Sequence, residues 1–415
     1  MRLLLLPTAG PLEPEAGSPP QLWQAQRAYA QAAAGLGLKV VHHAAPRPED
    51  VTGDDIPLAV RRAIAGIPGF LDCQPSLVLR LGPPADTTVM FNVHLDTVAG
   101  GPAPSFGDGR FAGRGAIDAK GPAVALLAGL RAAIAAEPAI GTDVGVLVQV
   151  VSGEEGGAMG SIGTRPLVRQ GYTGRLNLFC EPTGLRYLPR VTAAATACVT
   201  VSGQDAIDDR PGRGHNATVL LGFLAQHLAA ELAAEASGAC IAGLSTGPMH
   251  NKVYGRGKLL VNLPYATTAA GRRAERAFEG ALRTGLDRFA GRFASLPDYA
   301  LTAADAVAIT RLDWLKRGLP TMRSRDPELE AVLEDDAGLA RWPDDEPAFS
   351  CDAIWMDGVP DAYTAVFGPG DLDANHAHAP GEFARLAELE DFASGIARIL
   401  VGFAAYHKHG RNRSR

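Results

Sequence analysis

Six acidic and imidazole side chains, far apart in the chain, each stand beside glycine or proline at the end of a short apolar run. They are His94 in F-N-V-H-L-D-T-V, Asp118 in G-R-G-A-I-D-A-K-G, the pair Glu154 and Glu155 in V-S-G-E-E-G-G, Glu181 in F-C-E-P-T-G and His378 in A-H-A-P-G-E. Such breaks are where a strand gives way to a loop, and open α/β sheets place their chemistry at those strand ends. Two imidazoles with several carboxylates suit Zn²⁺ or a similar divalent ion. One carboxylate would be left over as a base for a water activated there. A fold is therefore expected that gathers these strand ends at one edge.

Local geometry sharpens the reading. His94 and Asp96 alternate on an extended backbone and point to opposite faces, so one can bind metal while the other anchors it from behind. Glu154 and Glu155 are adjacent and diverge in the same way, one to ligate and one to face a water. Asp118, just ahead of Lys-Gly and the start of a helix, is placed to bridge two cations. Singly each signal is weak, because many strands contain H-x-D and an E-E pair is commonly a solvated surface. Their joint order, each after an apolar run, carries the inference.

Composition narrows the class. At 415 residues the chain exceeds what one core usually holds, so two domains are expected. Apolar residues at 47% and charged residues at 20% fit a soluble globular protein. The net charge is −6 and no basic stripe alternates with aromatics, which argues against nucleic acid as partner. Cys73, Cys180, Cys198, Cys240 and Cys351 are far apart and form no C-x-x-C, so neither a disulfide framework nor a thiolate zinc site is expected. Reduced thiols point to the cytoplasm. The run Leu3–Leu6 is cut by Pro7, too short for a secretory core, and reads as a strand or helix end. No stretch reaches the ~20 apolar residues of a membrane span. The basic tail from His407 reads as a frayed terminus.

The first third alternates strands and helices. A helix is expected over 21–36 and strands over 39–43, 76–81 and 89–93, the last delivering His94. A helix over 121–136 follows Asp118, and strands over 144–151 and 176–180 deliver Glu154–Glu155 and Glu181. This order implies a mainly parallel sheet. After Pro189 the pattern becomes strand 196–202, helix 216–235, strands 239–244 and 258–263, helix 272–293 and strand 306–312. That β-α-β-β-α-β order is ferredoxin-like. From about Pro320 the first pattern resumes, with a helix over 326–339, a strand over 365–367 and a terminal helix over 386–405. The expected fold is α/β, with a catalytic domain in two segments (1–189 and 315–415) and an inserted α+β module (190–314).

These motifs resemble those of the dinuclear zinc aminoacylase and carboxypeptidase family of metallopeptidases. That family includes succinyl-diaminopimelate desuccinylase, acetylornithine deacetylase and glutamate carboxypeptidase, and the resemblance spans nearly the whole chain. It implies that His94 and Glu181 ligate one zinc, Glu155 and His378 the other, and that Asp118 bridges the two. It implies Glu154 as general base toward a metal-bridging hydroxide and Asp96 as the residue orienting His94. Co²⁺ or Mn²⁺ would substitute for Zn²⁺. A cis bond is implied at Asp118-Ala119, and the inserted module is implied to be a lid through which two copies pair. Glu181, rather than aspartate, resembles the deacylase and carboxypeptidase branch more than the aminopeptidase branch. Gly368 and Gly370 match positions where relatives bring backbone N–H groups close to substrate, and Asn251 matches a lid asparagine. His376, two residues before His378, is read as a neighbour of the site.

Two departures stand out. Where relatives carry a lid histidine that steadies the oxyanion, this chain has Ile207. Where they carry a carboxylate-clamping arginine in D-x-R, it has Asn262 and Pro264. His215 and His250 lie nearby in sequence and are candidates to substitute for the histidine, each weighed against a surface or packing role. The expected function is hydrolysis of an acyl or aminoacyl amide of an amino-acid-like or dipeptide-like substrate. The alternatives are a non-hydrolytic acyl or aminoacyl transferase or amide-forming enzyme on the same scaffold, and a metal-binding partner protein without activity.

Overall fold

The computed structural model describes residues 1–13, 19–82, 87–233 and 238–413, with the backbone alone for 410–413. The chain forms two compact units. One comprises Met1–Gly53, Ala59–Val191 and Thr321–Arg415, and the other Asp54–Leu58 and Thr192–Pro320. In chain order the main elements begin with α1 (Leu22–Ala34), β1 (Lys39–Ala44), β2 (Ser76–Leu81), β3 (Thr88–His94), α2 (Lys120–Ala136), β4 (Gly145–Val151) and β5 (Leu176–Phe179). The second unit holds β6 (Ala193–Ser202), α3 (Ala217–Leu232), β7 (Cys240–Ser245), β8 (Arg256–Tyr265), α4 (Thr268–Phe293) and β9 (Thr310–Lys316). The first unit closes with β10 (Tyr363–Val366) and α5 (Leu386–Arg413).

In the first unit the main sheet has its six strands in the order β1-β2-β4-β3-β5-β10. The block β4-β3-β5-β10 is parallel, and β2 and β1 extend it by antiparallel pairings. Every residue of T-V-M-F-N-V-H in β3 and G-V-L-V-Q-V-V in β4 is buried. Near-continuous apolar runs are what strands covered on both faces require. The two polar interruptions satisfy each other: Asn92 Nδ2 donates to Gln149 Oε1 at 2.7 Å, and Gln149 Nε2 donates to the Tyr172 carbonyl at 2.7 Å. Helices α2 and α5 approach closely at Gly129, where a Cβ would stand 2.6 Å from the Ala393 carbonyl oxygen.

The second unit has a four-stranded antiparallel sheet ordered β7-β8-β6-β9. Burial alternates along β6 and β8, the mark of a sheet with one face covered. Leu220 and Leu224 of α3 and Phe278 and Phe289 of α4 are fully buried.

Three local expectations are corrected. Leu3–Leu6 forms turns, with Leu5 N–H bonded to the Met1 carbonyl and Leu6 N–H to Leu3, because Pro7 ends the run before a ladder can form. The last strand of the second unit is not 306–312 but β9, and Ala300–Asp305 is helical. The alternation T-R-L-D-W-L-K, which buries Trp314, sets that strand, while Val307 is exposed. The helix expected over 326–339 is a capped turn at Pro327–Ala331 running into a π-helical turn at Val332–Asp336. The end expected for α3 at Glu235 lies outside the described residues. Among the described residues no helix is long and apolar enough to cross a membrane.

Candidate metal centre

The parallel pairing of β4, β3 and β5 sets three strand ends side by side. His94 is the last residue of β3, Glu154 and Glu155 follow β4, and Glu181 follows β5. The loop after β10 returns His378 to the same place. Asp118 comes from the loop before α2.

Contacts among these side chains are short. His94 Nε2 lies 2.8 Å from Asp118 Oδ1 and 3.8 Å from Glu181 Oε1. His378 Nε2 lies 2.9 Å from Asp118 Oδ2 and 3.0 Å from Glu155 Oε1. Asp118 thus turns one oxygen to each imidazole. Among the described residues, ligand atoms within 4.8 Å of one another form three groups: His94 with Asp118 and Glu181, Asp118 with Glu155 and His378, and His94 with Glu154 and Glu155. His94, Asp118, Glu155 and Glu181 are buried, whereas His378 is half-exposed.

Asp96 stands behind His94. Its carbonyl takes the His94 Nδ1 proton at 2.9 Å, which leaves Nε2 free for the cluster. Its Oδ2 accepts the N–H groups of Gly153 and Glu155, each at 3.0 Å. Asp96 therefore ties the end of β3 to the loop that carries both glutamates. The Asp118-Ala119 peptide is cis.

Electrostatics follow from crowding acids out of water. Burial pushes Glu155 up to about 7 and Glu181 up to about 8. Glu154 keeps part of its surface open, yet burial and then the charge of Asp352 hold its carboxyl well above the usual range. Hydrogen bonds to Asp118 and Glu155 raise His378 to about 10. Burial opposes the charge on His94, but Glu181, Asp118 and Asp96 outweigh it and raise that imidazole as well. Burial likewise opposes Asp118, yet the two histidines hold it below the usual carboxylate range. Excess negative charge in a dry cluster, partly offset by protons on imidazoles, is a place where cations replace protons.

Other residues missed by sequence reasoning complete the surroundings. Glu382, in the P-G-E after His378, is fully buried and pairs with Arg114 at 2.6 Å. Asp352 is fully buried, accepts a hydrogen bond from Thr164 Oγ1, and has no partner for Oδ1 among the described residues. Thr164 in turn accepts from Asn92 Nδ2 at 3.1 Å, which links this acid to the sheet. An acid isolated in the apolar run S-C-D-A-I-W-M was the available signal.

The remaining expected site residues sit as follows. The N–H of Gly368 goes to Thr183 Oγ1 at 3.0 Å, and a Cβ there would meet the Glu181 carbonyl oxygen at 2.2 Å. Gly370 has φ +63° and its carbonyl accepts the Gly184 N–H at 2.6 Å. Both glycines thus let the loop after β10 press against the loop carrying Glu181. His376 lies against Phe383, with ring centroids 6.1 Å apart. In the second unit, His215 accepts the Gln204 N–H at Nδ1 (2.9 Å) and its Nε2 donates to Asp305 at 3.1 Å, so both ring nitrogens are engaged there. Asn251 is exposed, and Ile207 is 57% exposed on a two-residue pairing with Lys252–Val253.

Residues 90–401 match the family described as Peptidase family M20/M25/M40. No curated protein matches this chain. Aminopeptidase PepT from Bacillus cereus ATCC 10987 has the same fold at a TM-score of 0.66 and 16% identity, covering 97% of this chain and 96% of its own. Human carnosine dipeptidase 1 gives 0.63 at 14% identity, covering 97% and 94%. The YXEP protein of Bacillus subtilis, a dinuclear metal binding peptidase from the M20 family, gives 0.59 at 10% identity, covering 96% and 95%.

Proposed function

The chain belongs to peptidase family M20/M25/M40, a family of dinuclear metallohydrolases of amide bonds, and from that premise we propose that it removes an acyl or aminoacyl group from an amino-acid-like or dipeptide-like substrate. The observation that carries this reading is Asp118 standing between two imidazoles, with Glu154 within reach of the same cluster. The donors, all carboxylate oxygen and imidazole nitrogen, fit a pair of divalent cations such as Zn²⁺. In this reading His94 and Glu181 would hold one cation and Glu155 and His378 the other, with Asp118 contributing to both.

When bound, such a pair supplies Lewis acidity to the scissile carbonyl and to water. The chain's own groups do the rest. Glu154 takes a proton from the attacking water at its carboxylate and returns it to the departing amine nitrogen. Its raised proton affinity suits that traffic near neutral pH. Asp96 fixes the tautomer of His94 through its carbonyl, and Glu382 fixes the backbone that presents Asp118. Enclosure of the acids keeps bulk water from competing. Zinc as the native metal and pairing of two copies through the second unit rest on the family resemblance, and a cytoplasmic location rests on the scattered, unpaired cysteines.

The resemblance motivates a second reading, transfer of the acyl group to an amine: at the position of the family's lid histidine this chain has Ile207, whose side chain offers no hydrogen bond to an oxyanion. One assay separates the two. Bound metal is quantified, and N-acyl amino acids and dipeptides are incubated with wild type and Glu154→Ala, with and without amine acceptors. Hydrolysis should depend on metal and fall by roughly 10²–10⁴-fold in the variant. New amides seen by mass spectrometry, without hydrolysis, would favour transfer. Equal turnover by wild type and variant would remove Glu154 from the reaction.

A further inference from the structure

Apart from the carboxylate cluster, a pocket of about 460 Å³ opens between the N-terminal segment and the loop after Thr97. Leu4, Val98 and Pro102 give it an apolar lining, and Thr8, Arg114 and Lys120 bring hydrogen-bond donors to it. Thr8 is 1% exposed, and its hydroxyl has no hydrogen-bond partner among the described residues. Arg114 is engaged by Glu382 through Nη1, but its buried Nε has no partner among them. Lys120 is 2% exposed, and its Nζ meets one acceptor, the Leu6 carbonyl at 3.0 Å.

An ammonium has three donors to place, and a buried donor left unmade costs free energy. Thr8 Oγ1 and Arg114 Nε are without an acceptor among the described residues, and Lys120 adds an ammonium with donors to spare, whereas the rest of the Arg114 guanidinium is held by Glu382 and the Ala379 carbonyl. At about 460 Å³ the space is of the size that holds small ligands. We propose that this pocket binds a small carboxylate of roughly amino-acid size, its carboxylate taken by Thr8, Arg114 and Lys120 and its apolar body laid along Leu4, Val98 and Pro102.

The pocket is joined to the metal centre on two sides. The Thr97 N–H, next to Asp96, bonds the Thr8 carbonyl at 3.4 Å, and Lys120 follows Asp118 by two residues. Occupancy of the pocket therefore bears on both loops. The assignment does not depend on what the centre hydrolyses.

The test is calorimetric binding of 4-methylpentanoate to the metal-loaded full chain, with 4-methylpentanamide and inorganic phosphate as comparisons. The acid should bind and the amide should bind at least about tenfold more weakly, since it lacks the charge that the Lys120 ammonium selects. Thr8→Val should weaken the acid about fivefold, the worth of one hydrogen bond. Ala99→Phe, which fills the pocket, should abolish binding, and His378→Ala should leave it intact. Should Ala99→Phe fail to fold, Thr8→Val still decides. Binding lost in His378→Ala and kept in Ala99→Phe would place the acid at the metal centre and overturn the proposal. So would no binding at roughly 10 mM acid, or binding of phosphate alone.

Discussion

Glu382 accepts the backbone N–H of Asp118 at 3.4 Å, although 264 residues separate them in the chain. The same Oε1 accepts the Ile117 N–H at 3.2 Å, and Oε2 takes Arg114 Nη1 at 2.6 Å. Because Glu382 follows His378 by four residues, the loop carrying one imidazole braces the loop carrying the central acid. Deleting one partner of a buried ion pair strands the other, at about 3–5 kcal/mol. Glu382→Ala should destabilise the protein by that amount in urea denaturation. It should also weaken metal binding about 10–100-fold in chelator competition, as removal of a ligand-orienting group does. Wild-type metal affinity in the variant would mean that Glu382 braces the fold alone.

Asp96 Oδ2 holds the Gly153 and Glu155 N–H groups. Asp96→Ala frees the loop that aims both glutamates, whereas Asp96→Asn retains one acceptor oxygen. The alanine variant should lose about 10–100-fold in metal affinity, and the asparagine variant less. Equal losses in the two variants, measured by competition with a chelator, would show that charge rather than loop tethering is what Asp96 supplies.

How far the sequence revealed this site follows from which residues sit at strand ends. His94, Glu154, Glu155 and Glu181 each follow an apolar run, so the period and its break located them and the edge they share. Asp118 and His378 come from loops, and their places rested on motif order. Asp352 and Glu382 act through partners far away in the chain, Thr164 and Arg114, and no local pattern encodes such a pairing. The last strand of the second unit was displaced for a local reason: the apolar run A-V-A-I at 306–309 reads as a strand start, whereas the strand begins at Thr310. The glycines at 368 and 370 were legible as special positions, but their use, close backbone packing on the loop of Glu181, needed coordinates.

After burial, the charge of Asp352 is the largest influence raising the proton affinity of Glu154. Replacing Asp352 with asparagine removes that charge and leaves an oxygen for Thr164. Glu154 should then lose its proton more readily. The acid limb of kcat against pH, where Glu154 must be ionised, should move to lower pH. A limb that stays in place or moves upward in Asp352→Asn would show that Asp352 does not govern the base.

With its cations stripped, the protein should lose stability as pH rises. His378 is raised from 6.5 to about 10, so its share of stability is complete below 6.5 and disappears as pH climbs through about 10. Glu155 and Glu181 are raised from 4.5 to about 7 and about 8, so the folded state binds their protons more tightly than the unfolded chain does. Their shares are present below 4.5 and vanish as pH passes those values. Asp118 runs the other way: its lowered proton affinity gives stability above its ordinary pKa of 3.8, and that share stays constant through neutral pH. The Tm of chelator-treated protein should therefore fall steadily between roughly pH 5 and 9, while the metal-loaded protein varies less, because cations take over the role of the protons. Metal addition at neutral pH should also release protons, seen as a buffer-dependent heat in calorimetry. A Tm for stripped protein that rises over this interval would mean that the buried acids are ionised without compensation, contrary to the cluster as drawn.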